Sequence, residues 1–445
     1  MKHFRLVALL ISLISLAAMV IALAAGFRAW IGPPLIAMFA ALALFCMGHP
    51  TFKSYAFTVW VFAFVCASMA YPAAFMTWFG YDLKGTITPL IQIIMFGMGT
   101  HLALSDFARV LRTPWPVAIG FCSHFIIMPL CGFTLAKLFG FDPAIAAGVI
   151  LIGSCPSGVA SNVMTYLARG DVALAVTITS CSTLASPVMT PLLMKILAGD
   201  KINVNFLAMM FEIINMILVP IVAGLIANRI LFGRHKAFDK AGPLVLLGAA
   251  AVLAALAVAF FAPTALLTVG KAAFPKGGLV IGLMLIGVVA LAKLIIGVLL
   301  HGPRNWMDKA LPLVSMAAIC AIIAVITVRS RDDLLRVGPL LILATVIHNA
   351  VGYFAGYWMA RAARLSESSC RAVAFEVGMQ NGGMASGLAM GVLNSAPAAL
   401  APAIFGPWQN ISGSILATWW HRRLPPPDPT GVPSADRTDY AAATK

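Results

Sequence analysis

Apolar runs of about 20 residues recur along nearly the whole chain, each closed by a short polar or Gly/Pro-bearing stretch. Runs of that length without alternation predict helices that cross a bilayer, since barrel strands alternate over about 10 residues. The pattern gives about fourteen spans, near 6–26, 30–47, 55–78, 86–104, 114–138, 143–168, 172–197, 203–231, 242–262, 279–302, 307–328, 338–360, 370–394 and 398–420. From Leu424 the pattern stops, and Pro425-Pro426-Pro427-Asp428-Pro429 with the polar residues after it predicts a disordered tail over 421–445. The fold class expected is an all-α polytopic membrane protein.

Two of these runs do not read as continuous helices. The run 143–168 contains Ser157-Gly158-Val159-Ala160-Ser161-Asn162, and 370–394 contains Gly378-Met379-Gln380-Asn381-Gly382-Gly383 followed by Met384-Ala385-Ser386-Gly387. An interior glycine costs a helix about 1 kcal/mol relative to alanine, so both runs are expected to unwind there. Paired breaks in two halves mark the binding site of an inverted-repeat transporter; close packing of small residues is the competing account. Glu376 decides between them. It is one of three glutamates in the chain, and a mid-membrane carboxylate costs roughly 3 kcal/mol unless a cation, a proton or a polar cavity meets it. With Glu376 beside one break and Asn162 in the other, the pair points to an ion site. A direct symmetry also links Asp239-Lys240-Ala241-Gly242-Pro243-Leu244-Val245 to Asp308-Lys309-Ala310-Leu311-Pro312-Leu313-Val314. Leu266-Leu267-Thr268-Val269-Gly270 is echoed by Leu334-Leu335-Arg336-Val337-Gly338, which raises a duplicated span pair against chance likeness of composition.

Hydrophobic residues make up 61% of the chain and charged residues 10%, against about 25% charged in soluble domains, which excludes a soluble enzyme. The net charge of +15 is carried by basic residues scattered through short loops, not gathered in a patch, and this argues against nucleic-acid binding. With the N-terminus in the cytoplasm, seventeen Lys and Arg residues, Arg371 among them, fall in inside segments and ten in outside ones. Both termini are therefore expected on the cytoplasmic face of a bacterial inner membrane. Lys2 and Arg5 before an apolar run resemble a signal peptide, but the run is longer than the usual apolar region and reads as a retained first span. Eight dispersed cysteines without a C-x-x-C pair read as free thiols. The absence of HExxH, of GxSxG in a suitable setting and of paired intramembrane aspartates weighs against an intramembrane enzyme. A purely structural membrane protein leaves the cluster at Glu376 unexplained.

Three motifs carry a family likeness: Ile94-Met95-Phe96-Gly97-Met98-Gly99, the run Gly153-Ser154-Cys155-Pro156-Ser157-Gly158-Val159-Ala160-Ser161-Asn162 continuing to Leu174, and Glu376-Val377-Gly378-Met379-Gln380-Asn381. Over about 55–231 and 307–420 the chain resembles the bile acid:sodium symporter family. The resemblance implies about ten helices, arranged as a panel domain and an inverted-repeat core in which two broken helices cross. Two extra helix pairs then bring the total to about fourteen without changing the orientation of the rest. On that plan 1–50 is an extra N-terminal pair, 51–112 panel helices, 113–200 the first half of the core, and 201–235 a panel helix. Next come an inserted pair at 236–305, a panel helix at 306–335, the second half of the core at 336–420, and the cytoplasmic tail at 421–445.

The resemblance further implies Na+ as the coupled ion. Ser161, Asn162, Thr179 and Glu376 would bind a first sodium; Glu376, the carbonyls of Val377 and Met379 and the side chain of Gln380 would surround a second. Oxygen donors of these kinds suit a hard cation, although Ser, Thr and Asn in membrane helices also serve plain interhelical hydrogen bonds. Three positions depart from the family pattern. Ala175 stands where a serine would complete the first site, Val159 where a threonine would touch the substrate, and His124 where a glutamine would bind the second sodium. Imidazole is a poor sodium ligand and a good proton acceptor, so the second site is in question and His124 is a possible proton site. For the substrate, unpaired amides at the helix N-termini around Gly158 and Gly382, with the Asn381 side chain, suit a carboxylate. The expected function is sodium-coupled symport of a small organic anion by alternating access, in contact with membrane lipid. A proton-coupled or uniport carrier using His124 and Glu376 is the alternative.

Overall fold

The computed structural model describes residues 2–27, 30–49, 52–102, 114–199, 202, 204–232, 238, 240–269, 272–303 and 306–423. In chain order the helices are α1 (Lys2–Ala24), α2 (Gly32–Gly48), α3 (Ala56–Ala70), α4 (Ile87–His101), α5 (Pro114–Leu138), α6 (Pro143–Ser154), α7 (Ala160–Leu167) and α8 (Val172–Ala198). They continue as α9 (Phe206–Phe232), α10 (Ala241–Phe261), α11 (Gly277–Leu299), α12 (Trp306–Arg329), α13 (Arg331–Ala362), α14 (Glu367–Gly378), α15 (Gly382–Gly391) and α16 (Ala396–His421). Among the described residues eight helices, α1, α5 and α8–α13, are long and apolar enough to cross a membrane. Their outward faces carry large apolar side chains such as Leu246, 73% exposed, and Phe260, 78% exposed, which suit lipid rather than water. The protein is integral to the membrane.

The helices sort into two groups by contact. α3, α4, α9 and α12 pack together as a layer; α1 and α2 lean on it through α3, and the paired α10 and α11 lean on it through α9 and α4. α5–α8 and α13–α16 form a second bundle. In lipid no hydrophobic drive brings helices together, so close backbone approach matters. α4 and α9 achieve it with one glycine each: a Cβ on Gly99 would overlap the Ile221 carbonyl, and one on Gly224 the Phe96 carbonyl. α11 docks where α9 takes a wide π-turn at Ile214–Leu218. There Asn215 Oδ1 accepts from Gly278 N at 2.6 Å, capping α11 from outside, while Gln92 Nε2 donates to the Asn215 carbonyl at 3.2 Å.

Several expectations change. The span expected over 55–78 ends at Ala70, because Pro72 cannot continue the ladder, and residues 77–82 form a hairpin of β1 (Thr77–Trp78) and β2 (Tyr81–Asp82). Its turn residues Phe79 and Gly80 both have positive φ, 50° and 82°, the geometry of a tight two-residue hairpin. A second hairpin joins β3 (Ala265–Val269) to β4 (Ala272–Pro275). Leu266–Val269 thus lies in a strand whereas its echo Leu334–Val337 lies inside α13, so the direct duplication fails at that point. Pro263 is the cause: it forces Ala262 into an extended conformation (φ −77°, ψ 147°) and ends α10. Arg371, counted above as a loop charge, is instead buried in α14. It pairs with Glu367 at 3.1 Å and donates to the carbonyls of Ala168 (2.8 Å), Trp420 (3.3 Å) and Arg423 (3.1 Å), tying the ends of α7, α14 and α16. The tail from Leu424, together with Arg109, Arg112, Arg234, Lys236 and Arg304, lies outside the described residues.

Candidate functional site

α7 ends in a left-handed turn. Arg169 has φ 56° and Gly170 N donates to the Thr165 carbonyl at 2.8 Å, after which Asp171 caps α8 by accepting from Leu174 N at 3.0 Å. The chain therefore returns antiparallel, and Thr179 of α8 comes opposite Ser161 of α7. α14 is capped in the same way by Ser366, which accepts from Ser369 N at 3.2 Å, and Asp171 N donates to the Ser368 carbonyl at 3.0 Å.

Both expected breaks are present. α6 and α7 are separated by Cys155–Val159, and α14 and α15 by Met379–Asn381. The two unwound segments cross as a one-step antiparallel bridge, Ser157 opposite Gln380, with Gly158 N donating to Met379 O at 3.2 Å and Asn381 N to Pro156 O at 2.9 Å. The approach needs glycine at 158, where a Cβ would stand 2.8 Å from the Gln380 carbonyl. Two side chains fix the second break from outside. Gln409 of α16 accepts from Gln380 N at 2.7 Å and donates to Gln380 O at 2.9 Å, acting as a third strand one residue long. Asn349 of α13 donates to Gly378 O at 2.9 Å. Sequence reasoning missed both; the available signal was an amide side chain inside a mostly apolar helix.

Glu376 is fully buried in the last turn of α14. One carboxylate oxygen accepts from Ser161 Oγ and the other from Thr179 Oγ1 at 2.7 Å. No arginine or lysine pairs with it among the described residues. Asn162 Oδ1 and Gln380 Oε1 are buried acceptors with no donor, although Gln380 Nε2 does reach Val377 O at 2.7 Å. An orphaned buried acceptor costs about 1–3 kcal/mol, and the two broken helices carry two of them in addition to a buried carboxylate that has no cationic partner, a set of groups rich in oxygen and short of positive charge. That donor set fits a hard monovalent cation. The Val377 and Met379 carbonyls are already occupied, the latter by Gly158 N and by Ser157 Oγ at 3.3 Å. Ala175, fully buried, adds no oxygen.

His124 of α5 is fully buried, and both its ring nitrogens meet backbone carbonyls. Its Nδ1 lies 2.9 Å from the Glu376 carbonyl and its Nε2 2.8 Å from the Cys155 carbonyl, so the ring staples the ends of α14 and α6. A neutral imidazole carries one N–H and can donate to only one of the two. The amides of Gly158 and Gly382, expected to be open to a substrate, are engaged by Met379 O and by Gln380 O at 2.9 Å. Asn381 is committed to capping α15, accepting from Met384 N at 3.0 Å. The amides of Val159 and Gly383, one residue further in, have no partner among the described residues, and the Val159 side chain is 37% exposed. A cavity of about 510 Å³ lies away from the crossover, at the far end of α15, between Lys84 and Thr88 on one side and Met390 and Gly391 on the other.

Comparison with known proteins points to one family. The profile of the sodium bile acid symporter family matches residues 88–271, running into the pair at 236–305. The chain is 34% identical over 374 residues to the uncharacterized sodium-dependent transporter YocS of Bacillus subtilis, covering 84% of this chain and 93% of that protein. It is 28% identical over 384 residues to the probable chloroplastic sodium/metabolite cotransporter BASS2 of Oryza sativa subsp. japonica, covering 86% and 73%. To the ileal sodium/bile acid cotransporter of Homo sapiens it is 28% identical over 299 residues, covering 67% of each. These relatives are transporters and not enzymes, and the chain, with its crossed helix breaks and buried Glu376, belongs to the sodium bile acid symporter family.

Proposed function

We propose that the protein is a sodium-coupled symporter of a small organic anion that works by alternating access. The chain crosses the membrane fourteen times with both termini in the cytoplasm, and the bundle of α5–α8 and α13–α16 moves as a core against the panel of α3, α4, α9 and α12. The observation that carries this is at the crossover: a fully buried carboxylate held by the Ser161 and Thr179 hydroxyls without a cationic partner, on broken helices that also carry two orphaned acceptor oxygens. Sodium binds there between Glu376, Asn162, Ser161 and Thr179. Gln380, with the Val377 and Met379 carbonyls, forms the weaker second position, because those carbonyls already accept hydrogen bonds. The anion binds at the free amides of Val159 and Gly383, where two short helices direct their positive ends. The test is uptake of labelled pyruvate-like, pantoate-like and bile acids into vesicles holding the purified protein, under imposed sodium or proton gradients. Accumulation that needs the sodium gradient is expected; accumulation that ignores sodium and follows protons overturns the proposal in favour of a proton-coupled carrier.

A further inference from the structure

Thr165 is fully buried in α7, and its Oγ1 has no hydrogen-bond partner. A threonine in a helix ordinarily donates to the carbonyl four residues back. Thr177 and Thr183 of α8 do so, each at 2.7 Å, and Thr179 gives its proton to Glu376, whereas Thr165 does neither. Its methyl group lies against Gly170, which turns the hydroxyl away from the α7–α8 turn.

Position gives the orphan a partner. Ser161 and Thr179 face one another because both reach Glu376. Four residues nearer the turn on each antiparallel helix stand Thr165 and Ala175, one layer below on the same faces. Ala175 offers only a methyl group as its side chain, so a side-chain oxygen in that layer of the hairpin comes from Thr165. Asn162 Oδ1, three residues before Thr165 on the same side of α7, is the other orphaned oxygen of this helix. One pitch is about 5.4 Å, close to the span between opposite oxygens around a cation bound at about 2.3–2.6 Å.

We infer that Thr165 is a further oxygen ligand of the coupled sodium, closing the site on its cytoplasmic side below Ser161, Asn162, Thr179 and Glu376. The inference rests on the crossover being a sodium site. The test is equilibrium binding of radiosodium to the purified full-length protein in detergent, without substrate. Thr165→Val, which keeps the shape and removes the hydroxyl, is expected to weaken sodium binding about tenfold, the scale of one lost polar contact to a charge. Thr165→Ser is expected to stay within about twofold of the unmutated protein. If the unmutated protein does not bind sodium, the site itself is refuted. If it binds sodium and Thr165→Val binds equally well, only the role of Thr165 falls. Should Thr165→Val not purify as a folded species, Thr165→Ala takes its place under the same criterion.

Discussion

Gln409→Leu should cripple sodium binding although Gln409 touches no ion ligand through its own side chain except Gln380. The substitution keeps the bulk within α16 and removes two hydrogen bonds to the backbone of the second break. Gln380 N is then left buried with no acceptor, at about 1–3 kcal/mol, while Gln380 O keeps the donor Gly382 N and loses about 1 kcal/mol. The sum, about 2–4 kcal/mol, is relieved only by moving the strand that carries Met379 and Gln380, and with it the geometry next to Glu376. If the break relaxes, that energy appears as a rise of about thirtyfold or more in the sodium concentration for half-maximal uptake, with tenfold for every 1.4 kcal/mol. Gln409→Glu, which still accepts from Gln380 N, should fall between the two. The assay is sodium-titrated uptake in vesicles, with size-exclusion profiles confirming the fold. A folded Gln409→Leu protein whose half-saturation stays within about twofold of normal would refute the clamp.

Glu376→Ala should abolish sodium-stimulated uptake while the protein still inserts and folds; normal sodium-dependent uptake by this variant would remove the basis of the symport mechanism. His124→Gln replaces a ring engaged with two carbonyls by a side chain that can offer an amide oxygen, so the sodium Hill coefficient should rise from near one toward two. The same change should make transport of a monocarboxylate electrogenic, since each net charge couples to about 2.3 kcal/mol per 100 mV; inward current from the unmutated protein would contradict this. Asn215→Leu uncaps α11 and should lower thermal stability by about 1–3 kcal/mol without altering the sodium half-saturation, and an unchanged melting curve would show that the cap is not what holds the pair.

The two helix breaks and the buried carboxylate were legible because glycines and amides inside long apolar runs have few other uses. The hydroxyl partners Ser161 and Thr179 followed from the family likeness, and the structure brings both to Glu376. Gln409 and Asn349 were not legible. Each is an amide inside a mostly apolar helix, Gln409 next to Asn410 and Asn349 next to His348, and nothing in local pattern says that its partner is a backbone group 29 residues away. Arg371 misled for the opposite reason: counting basic residues treats every arginine near a span end as solvated, while this one satisfies three carbonyls inside the protein. The open amides lie one residue further on because Gly158 N goes to Met379 O of the crossing strand, more than 200 residues away, and Gly382 N turns back on Gln380 O within its own segment.

Ser161 and Thr179 aim their hydroxyl protons at Glu376. A carrier has to travel back unloaded, and a bare carboxylate inside the membrane would hinder that return. Here two O–H bonds supply the missing positive partial charge, and on the proposed mechanism an arriving ion would need only their rotation to find the lone pairs turned toward it. On that mechanism loading and unloading would differ by a pair of torsions and not by a rebuilt backbone, which would leave the rate of turnover to the larger movement between the two helical groups.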